Sequence, residues 1–190
     1  MMKTIFALTA AAVVIVSTPA MAGTAGTITA EARFSDVRNG ATDSTEYDVQ
    51  YNAPLNSFLT YGAEIQVKQA AHAGALDSKI SAKVGPALPD VLGFHTLAYA
   101  EVGQALKQGD DYTFWGAGAK ASRTVYGPVS ATIGYRHREA FKATRRLDED
   151  RLEGGLGYDI GSGNTVGVKY YRTSGTTRSD AVAVALNHSF

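Results

Sequence analysis

Val182-Ala183-Val184-Ala185-Leu186-Asn187-His188-Ser189-Phe190 alternates large apolar side chains with small or polar ones. Successive strand side chains point to opposite faces, so Val182, Val184, Leu186, His188 and Phe190 share one face and Ala183, Ala185, Asn187 and Ser189 the other. The same period runs back through the chain. Alternation and turn signals together mark ten segments: 26–35, 45–52, 58–69, 77–86, 92–105, 111–124, 129–141, 148–160, 164–174 and 180–190. Each is close to the roughly 9–11 residues that a tilted strand needs to cross the apolar layer of a membrane.

The joints alternate in character. Asn52-Ala53-Pro54-Leu55-Asn56, Pro86-Ala87-Leu88-Pro89-Asp90, Tyr126-Gly127-Pro128 and Gly161-Ser162-Gly163-Asn164 are tight and rich in turn formers. Those at Ser35–Ser44, Ala70–Ala75, Gln108–Asp111, Lys142–Asp150 and Ser174–Asp180 are longer or more polar. Short turns at one end and longer loops at the other are the pattern of transmembrane barrels. One face of nearly every segment is a charge-free stripe, as in Leu59, Tyr61, Ala63, Ile65 and Val67 or in Val166, Val168 and Tyr170. Aromatic residues sit toward the stripe ends: Phe34, Tyr47, Trp115 and Tyr170 near the loops, Tyr51, Phe94, Tyr158 and Phe190 near the turns. The fifth segment is the irregular one, because its better parity leaves Leu97 and Tyr99 inside, which a bulge would relieve.

A soluble two-sheet sandwich would show the same period, but its inner face would be dense in Leu, Ile, Val and Phe. Here the apolar stripes are diluted with Ala and Gly and ringed by aromatics. The expected fold is therefore all-β: a transmembrane antiparallel up-and-down barrel of ten strands, with eight as the alternative count. An even number brings both ends of the barrel to the periplasmic side. The 20 glycines and 10 tyrosines suit a bent wall with an interfacial girdle.

Met1-Met2-Lys3, the apolar stretch Ile5–Val16 and the small-x-small site Ala20-Met21-Ala22 have the form of a secretory signal peptide over residues 1–22, with the barrel over 23–190. The apolar stretch is too short to span about 30 Å of hydrocarbon as a helix. Eighteen basic residues balance eighteen acidic ones, which argues against a nucleic-acid partner. Cysteine is absent, removing disulfides, thiolate metal sites and cysteine nucleophiles.

The closing Phe190 resembles the last strand of bacterial outer-membrane β-barrels, which end on an aromatic residue. His188 stands where that family commonly has Tyr. The resemblance implies a Gram-negative outer membrane, lipid around the wall and recognition of Phe190 by the barrel-assembly machinery. A second likeness is local. Gly134-Tyr135-Arg136-His137-Arg138-Glu139, with Arg145-Arg146 and Arg151, is similar in flavour to basic walls of the oligogalacturonate-specific porin family. If a solute passes, that similarity implies an anionic one; a solvated loop flanked by rim charges is the plain alternative.

Function must come from the inward face. On the parity above it carries Glu31, Arg33, Glu46, Asp48, Glu64, Lys68, Lys79, Lys83, Glu101, Lys120, Arg136, Arg138, Arg151, Glu153, Asp159 and Lys169. Acids gather on the first three segments, while the fourth, sixth and seventh carry only bases. In a ring of ten, Glu46 and Asp48 face Arg136 and Arg138. Ten strands tilted by about 40° give a round backbone roughly 20 Å across, and an Arg and a Glu together reach about 12 Å. A wet gap is expected between the facing walls, widened by inward glycines unless long side chains fold over them. The expectation is a porin-like barrel with a narrow polar passage for small solutes, and the alternative a structural or surface-binding barrel whose charges pair and close the lumen.

Catalysis has little support, and no cofactor or metal is expected. His72, His95, His137 and His188 lack a Ser or carboxylate at a spacing that fixes a catalytic arrangement. Asp110-Asp111 is ordinary turn chemistry, and Gly154-Gly155-Leu156-Gly157 precedes no helix that would make it a phosphate loop.

Overall fold

The computed structural model describes residues 25–37, 44–70, 76–107, 110–142, 147–176 and 178–190. The expected signal segment 1–22, His72, Arg145-Arg146 and parts of the longer loops lie outside these. The strands are β1 (Thr27–Val37), β2 (Ser44–Pro54), β3 (Leu59–Ala70), β4 (Leu76–Pro86), β5 (His95–Leu106), β6 (Tyr112–Tyr126), β7 (Val129–Ala140), β8 (Asp148–Gly161), β9 (Asn164–Gly175) and β10 (Ser179–Ser189). Each pairs antiparallel with its sequence neighbours, and β10 returns to β1, closing a ten-stranded barrel. Closure leaves no open edge, so backbone donors and acceptors are satisfied within the wall.

The tight turns explain why the strands reverse where they do. Ser162 and Gly163 both have positive φ, 53° and 74°, the pair of left-handed residues that a two-residue hairpin turn requires. In the turn before β7 only Gly127 has positive φ, 50°, ahead of Pro128, as in the hairpin turn that takes glycine first. Between β2 and β3, the Asn56 side-chain oxygen accepts from the backbone of Phe58 and Leu59 at 2.8 and 2.9 Å. Residues 92–94, expected to open the fifth strand, are instead part of the turn. Leu92 and Gly93 take φ of 54° and 76° while Val91 and Phe94 bridge, so β5 starts at His95. No bulge occurs in β5, whose register against β6 is continuous from His95 to Ala105. The irregularities lie at Thr124/Tyr126 and Asp159/Gly161, next to turns.

The apolar stripes face outward. Ile65, Ile133, Leu156, Val168 and Val184 are exposed, while most of the charged parity is buried; Lys68, Lys79, Lys120 and Glu153 are half-buried, and Asp159, beside the turn after β8, is exposed. Ile28, Ala30 and Ala32 share the outward parity yet are buried. They are shaded by larger neighbours in register: Leu186 and Val49 flank Ala30, and Val184 and Tyr47 flank Ala32. Inside, among the described residues, apolar side chains pack in two small clusters near the loop end, Phe114 with Ala105, Tyr112 and Ala140, and Tyr171 with Ala181 and Ala183. The seam between first and last strands is sealed at the turn end, where Gly26 and Phe190 exchange backbone hydrogen bonds of 3.0 Å in both directions. Phe190 also stacks on Tyr51 of β2, with ring centroids 6.4 Å apart.

Candidate functional site: an ion-pair septum across the lumen

Period-two alternation aims the charges of eight strands, β1 to β5 and β7 to β9, into the lumen, where they meet. The tightest group joins β3, β5 and β7. Arg138 donates through Nε and Nη2 to the two oxygens of Glu101 at 2.7 and 2.9 Å, and through Nη1 to Gln66 at 2.8 Å. Its Nη2 also reaches Glu64 at 3.1 Å, and Arg136 donates to the same Glu64 oxygen at 3.0 Å. Lys83 of β4 donates to the other oxygen of Glu64. Gln66 passes the chain on to Asp48 at 3.1 Å, and the Phe114 ring lies 4.9 Å beneath the Arg138 guanidinium. Arg138 is 0 % exposed and the Glu64 side chain 1 %. Charges taken so far from water are tolerated only when hydrogen-bonded and paired, as these are.

A second group lies around β1. Arg33 donates to Glu46 of β2 and, at 2.7 Å, to Glu31. Glu31 in turn accepts from Lys169 and Tyr171 of β9, each at 2.7 Å. The guanidinium of Arg33 sits 4.1 Å from the Tyr171 ring centroid. Between the two groups the contacts are longer. Arg151 Nη1 is 3.7 Å from Glu46, Arg136 Nη2 is 3.6 Å from Glu149, and Lys79 is 3.5 Å from Glu149. Arg33 Nε, Arg136 Nε and Nη2, Arg151 Nε and Nη1, and Glu149 Oε1 have no hydrogen-bond partner among the described residues.

The facing walls therefore touch instead of leaving a wet gap, and the partners differ from those expected. Arg136 and Arg138 reach Glu64 of β3, whereas Glu46 and Asp48 are engaged by Arg33 and Gln66 next to them. Contact across the lumen means that this chord is shorter than in the round estimate, as in a flattened section. Several of the inward glycines do not widen the lumen either. A side chain on Gly118 would meet the Tyr99 ring at 2.6 Å, on Gly134 Glu153 at 2.8 Å, and on Gly155 Lys169 at 2.8 Å. Long side chains from the adjacent strand lie over each of them. Lys120 pairs with Glu153 at 3.1 Å, and Lys79 joins Glu149, a carboxylate not among the expected inward charges although it shares the parity of Arg151 and Glu153.

Two cavities flank this layer. The larger, about 570 Å³, opens toward the tight turns, and the smaller, about 120 Å³, toward the loops. Arg33 and Arg151 line both. On the outer face, His137, Asp148 and Asp150 bring their ligand atoms within 4.8 Å of one another. Within it, Tyr135 and His137 both hydrogen-bond to Asp150. His95 pairs with Asp90 at 2.8 Å at the turn end, and neither this pair nor His137 with Asp150 has a serine or threonine hydroxyl bonded to the imidazole among the described residues.

No protein-family model and no curated protein matches the chain. Among solved structures, the β domain of the Bordetella autotransporter BrkA aligns at a TM-score of 0.55, with 10 % identity over 87 % of this chain and 99 % of that one. An outer-membrane channel from Pseudomonas putida F1 aligns at 0.53, with 9 % identity over 88 % and 96 %. The KdgM porin with oligogalacturonate aligns at 0.47, with 12 % identity over 86 % and 99 %. At such identities the likeness shows the fold, a barrel of the outer-membrane kind, and the looser KdgM alignment carries nothing about solutes.

Proposed function

We propose that the protein is an integral barrel of a Gram-negative outer membrane, surrounded by lipid, inserted by the barrel-assembly machinery with both ends of the barrel on the periplasmic side, and serving as a narrow, porin-like polar passage. The observation that carries the proposal is that two cavities, one toward each end of the barrel, share Arg33 and Arg151 as lining, so the same side chains bound both. A barrel filled along its whole length would have no such vestibules. A passage of this kind fits water and small ions, and it needs no catalytic group.

A specific observation favours a second reading, a closed structural or surface-binding barrel: each guanidinium nitrogen of Arg138 is engaged, which is how a permanent plug is built. Recording from the purified, refolded protein in planar bilayers separates the two. Small, steady currents are expected from the passage, whereas folded protein that gives none excludes it and leaves the closed barrel.

A further inference from the structure

We infer that solutes cross the septum between Arg33 and Arg151, and that this constriction passes small anions in preference to cations. The inference rests on the passage proposed above and gives it a place and a sign. The place follows from the uneven strength of the septum. Arg138 is held by hydrogen bonds of 2.7–3.1 Å to Glu64, Gln66 and Glu101, so displacing it strands buried carboxylates. Arg151 makes contacts of 3.7 Å to Glu46 and 3.1 Å to Glu149, and its Nε and Nη1 donate no hydrogen bond. Arg151 is held less tightly than Arg138, and moving it leaves Glu46 with Arg33 and Glu149 with Lys79 and Arg136, so neither carboxylate is stranded. Both cavities touch the septum at this weak point. The Tyr171 ring backs both guanidinium groups, 4.1 Å from Arg33 and 5.8 Å from Arg151, a face along which a cation can slide while staying attracted.

The sign follows from what lines the two approaches. From the turn end an ion meets Arg33, Lys83, Lys120, Arg136 and Arg151 against Glu153. From the loop end Lys68, Lys79 and Lys107 stand against Glu46, Asp77 and Glu149, with the same two arginines beyond. Glu31 and Glu64 do not line either cavity; they sit behind bases that they hold in place. Low-dielectric walls focus the field of the lining charges, which raises the local concentration of anions and lowers that of cations. Ions from chloride to acetate in size suit a gap made by moving one side chain.

Reversal potentials across a potassium chloride gradient test this on four proteins: wild type, Arg151→Gln, Arg33→Gln, and Arg172→Gln. Arg172 is exposed on the outer face and gives the same charge loss away from the lumen. Wild type is expected to prefer chloride. Either lumen variant should raise conductance about two- to threefold and bring the reversal potential toward zero, while Arg172→Gln should match wild type. Folding is checked by the slower unfolding-dependent gel migration on heating. Should Arg33→Gln fail to fold, Arg151→Gln keeps the Arg33–Glu46 pair, and it decides together with wild type. A cation-preferring wild type, or lumen variants that keep wild-type selectivity, overturns the inference while the passage stands. Absence of current from all folded proteins overturns the passage itself.

Discussion

Glu64 is the residue on which the septum turns, since Lys83, Arg136 and Arg138 all converge on its carboxylate. Replacing it by Gln keeps the shape and removes the charge, leaving buried bases short of a counter-ion. The expected cost is about 3–5 kcal/mol of unfolding free energy. Denaturant titration in detergent micelles measures it, with Lys68→Gln at the half-buried loop end as a comparison expected to change stability by under about 1 kcal/mol. Equal losses in the two variants would mean that the septum contributes no more than a surface charge. The sequence showed that Glu64, Lys83, Arg136 and Arg138 point inward, because period two assigns a face. It did not show their pairing, because period two says nothing about how far apart facing strands lie or which charge reaches which. Arg33 with Glu46 was within reach of sequence reasoning: the hairpin places them directly opposite in register.

Strands were legible nearly to the residue wherever turn chemistry was unambiguous, as at Gly127-Pro128 and Gly161-Ser162-Gly163. The start of β5 was not, because Leu92 is a branched apolar residue that a strand favours and a left-handed turn does not, yet it has φ of 54°. The turn geometry around Gly93 outweighs its local preference. For β10, the decisive residue is Phe190, which bonds Gly26 in both directions and stacks on Tyr51. Deleting Phe190 should therefore lower the amount of folded barrel recovered from outer membranes far more than Ser189→Ala, whose side chain makes one long contact of 3.5 Å to Thr27. Quantifying heat-modifiable protein in membrane fractions checks this; equal recovery of the two variants would remove Phe190 from any role in assembly.

Taken whole, the molecule is an inside-out arrangement, with paired charges within and an apolar belt without. That inversion was visible in the sequence as charge-free stripes opposite a charged parity, whereas the pairing of charges across the lumen depended on a width that alternation does not encode. The single tryptophan offers a direct probe of the belt. Trp115 is 38 % exposed on the outer face, beside His137 near the loop end. Reconstituted into bilayers carrying bromine-labelled acyl chains, its fluorescence should fall strongly, and labels near the headgroup should quench more than labels at the bilayer centre, as for an interfacial aromatic residue. Unchanged emission would place that wall outside lipid. The reciprocal bonds between Gly26 and Phe190 have one more consequence. A closed wall of strands, each joined to the next, is a cycle, and a cycle has no starting point. Only the covalent break between the residues at its seam makes one strand first and another last, so the same ring could in principle be cut at Gly127 and rejoined at the seam, with every neighbour relation preserved and only the order of synthesis changed.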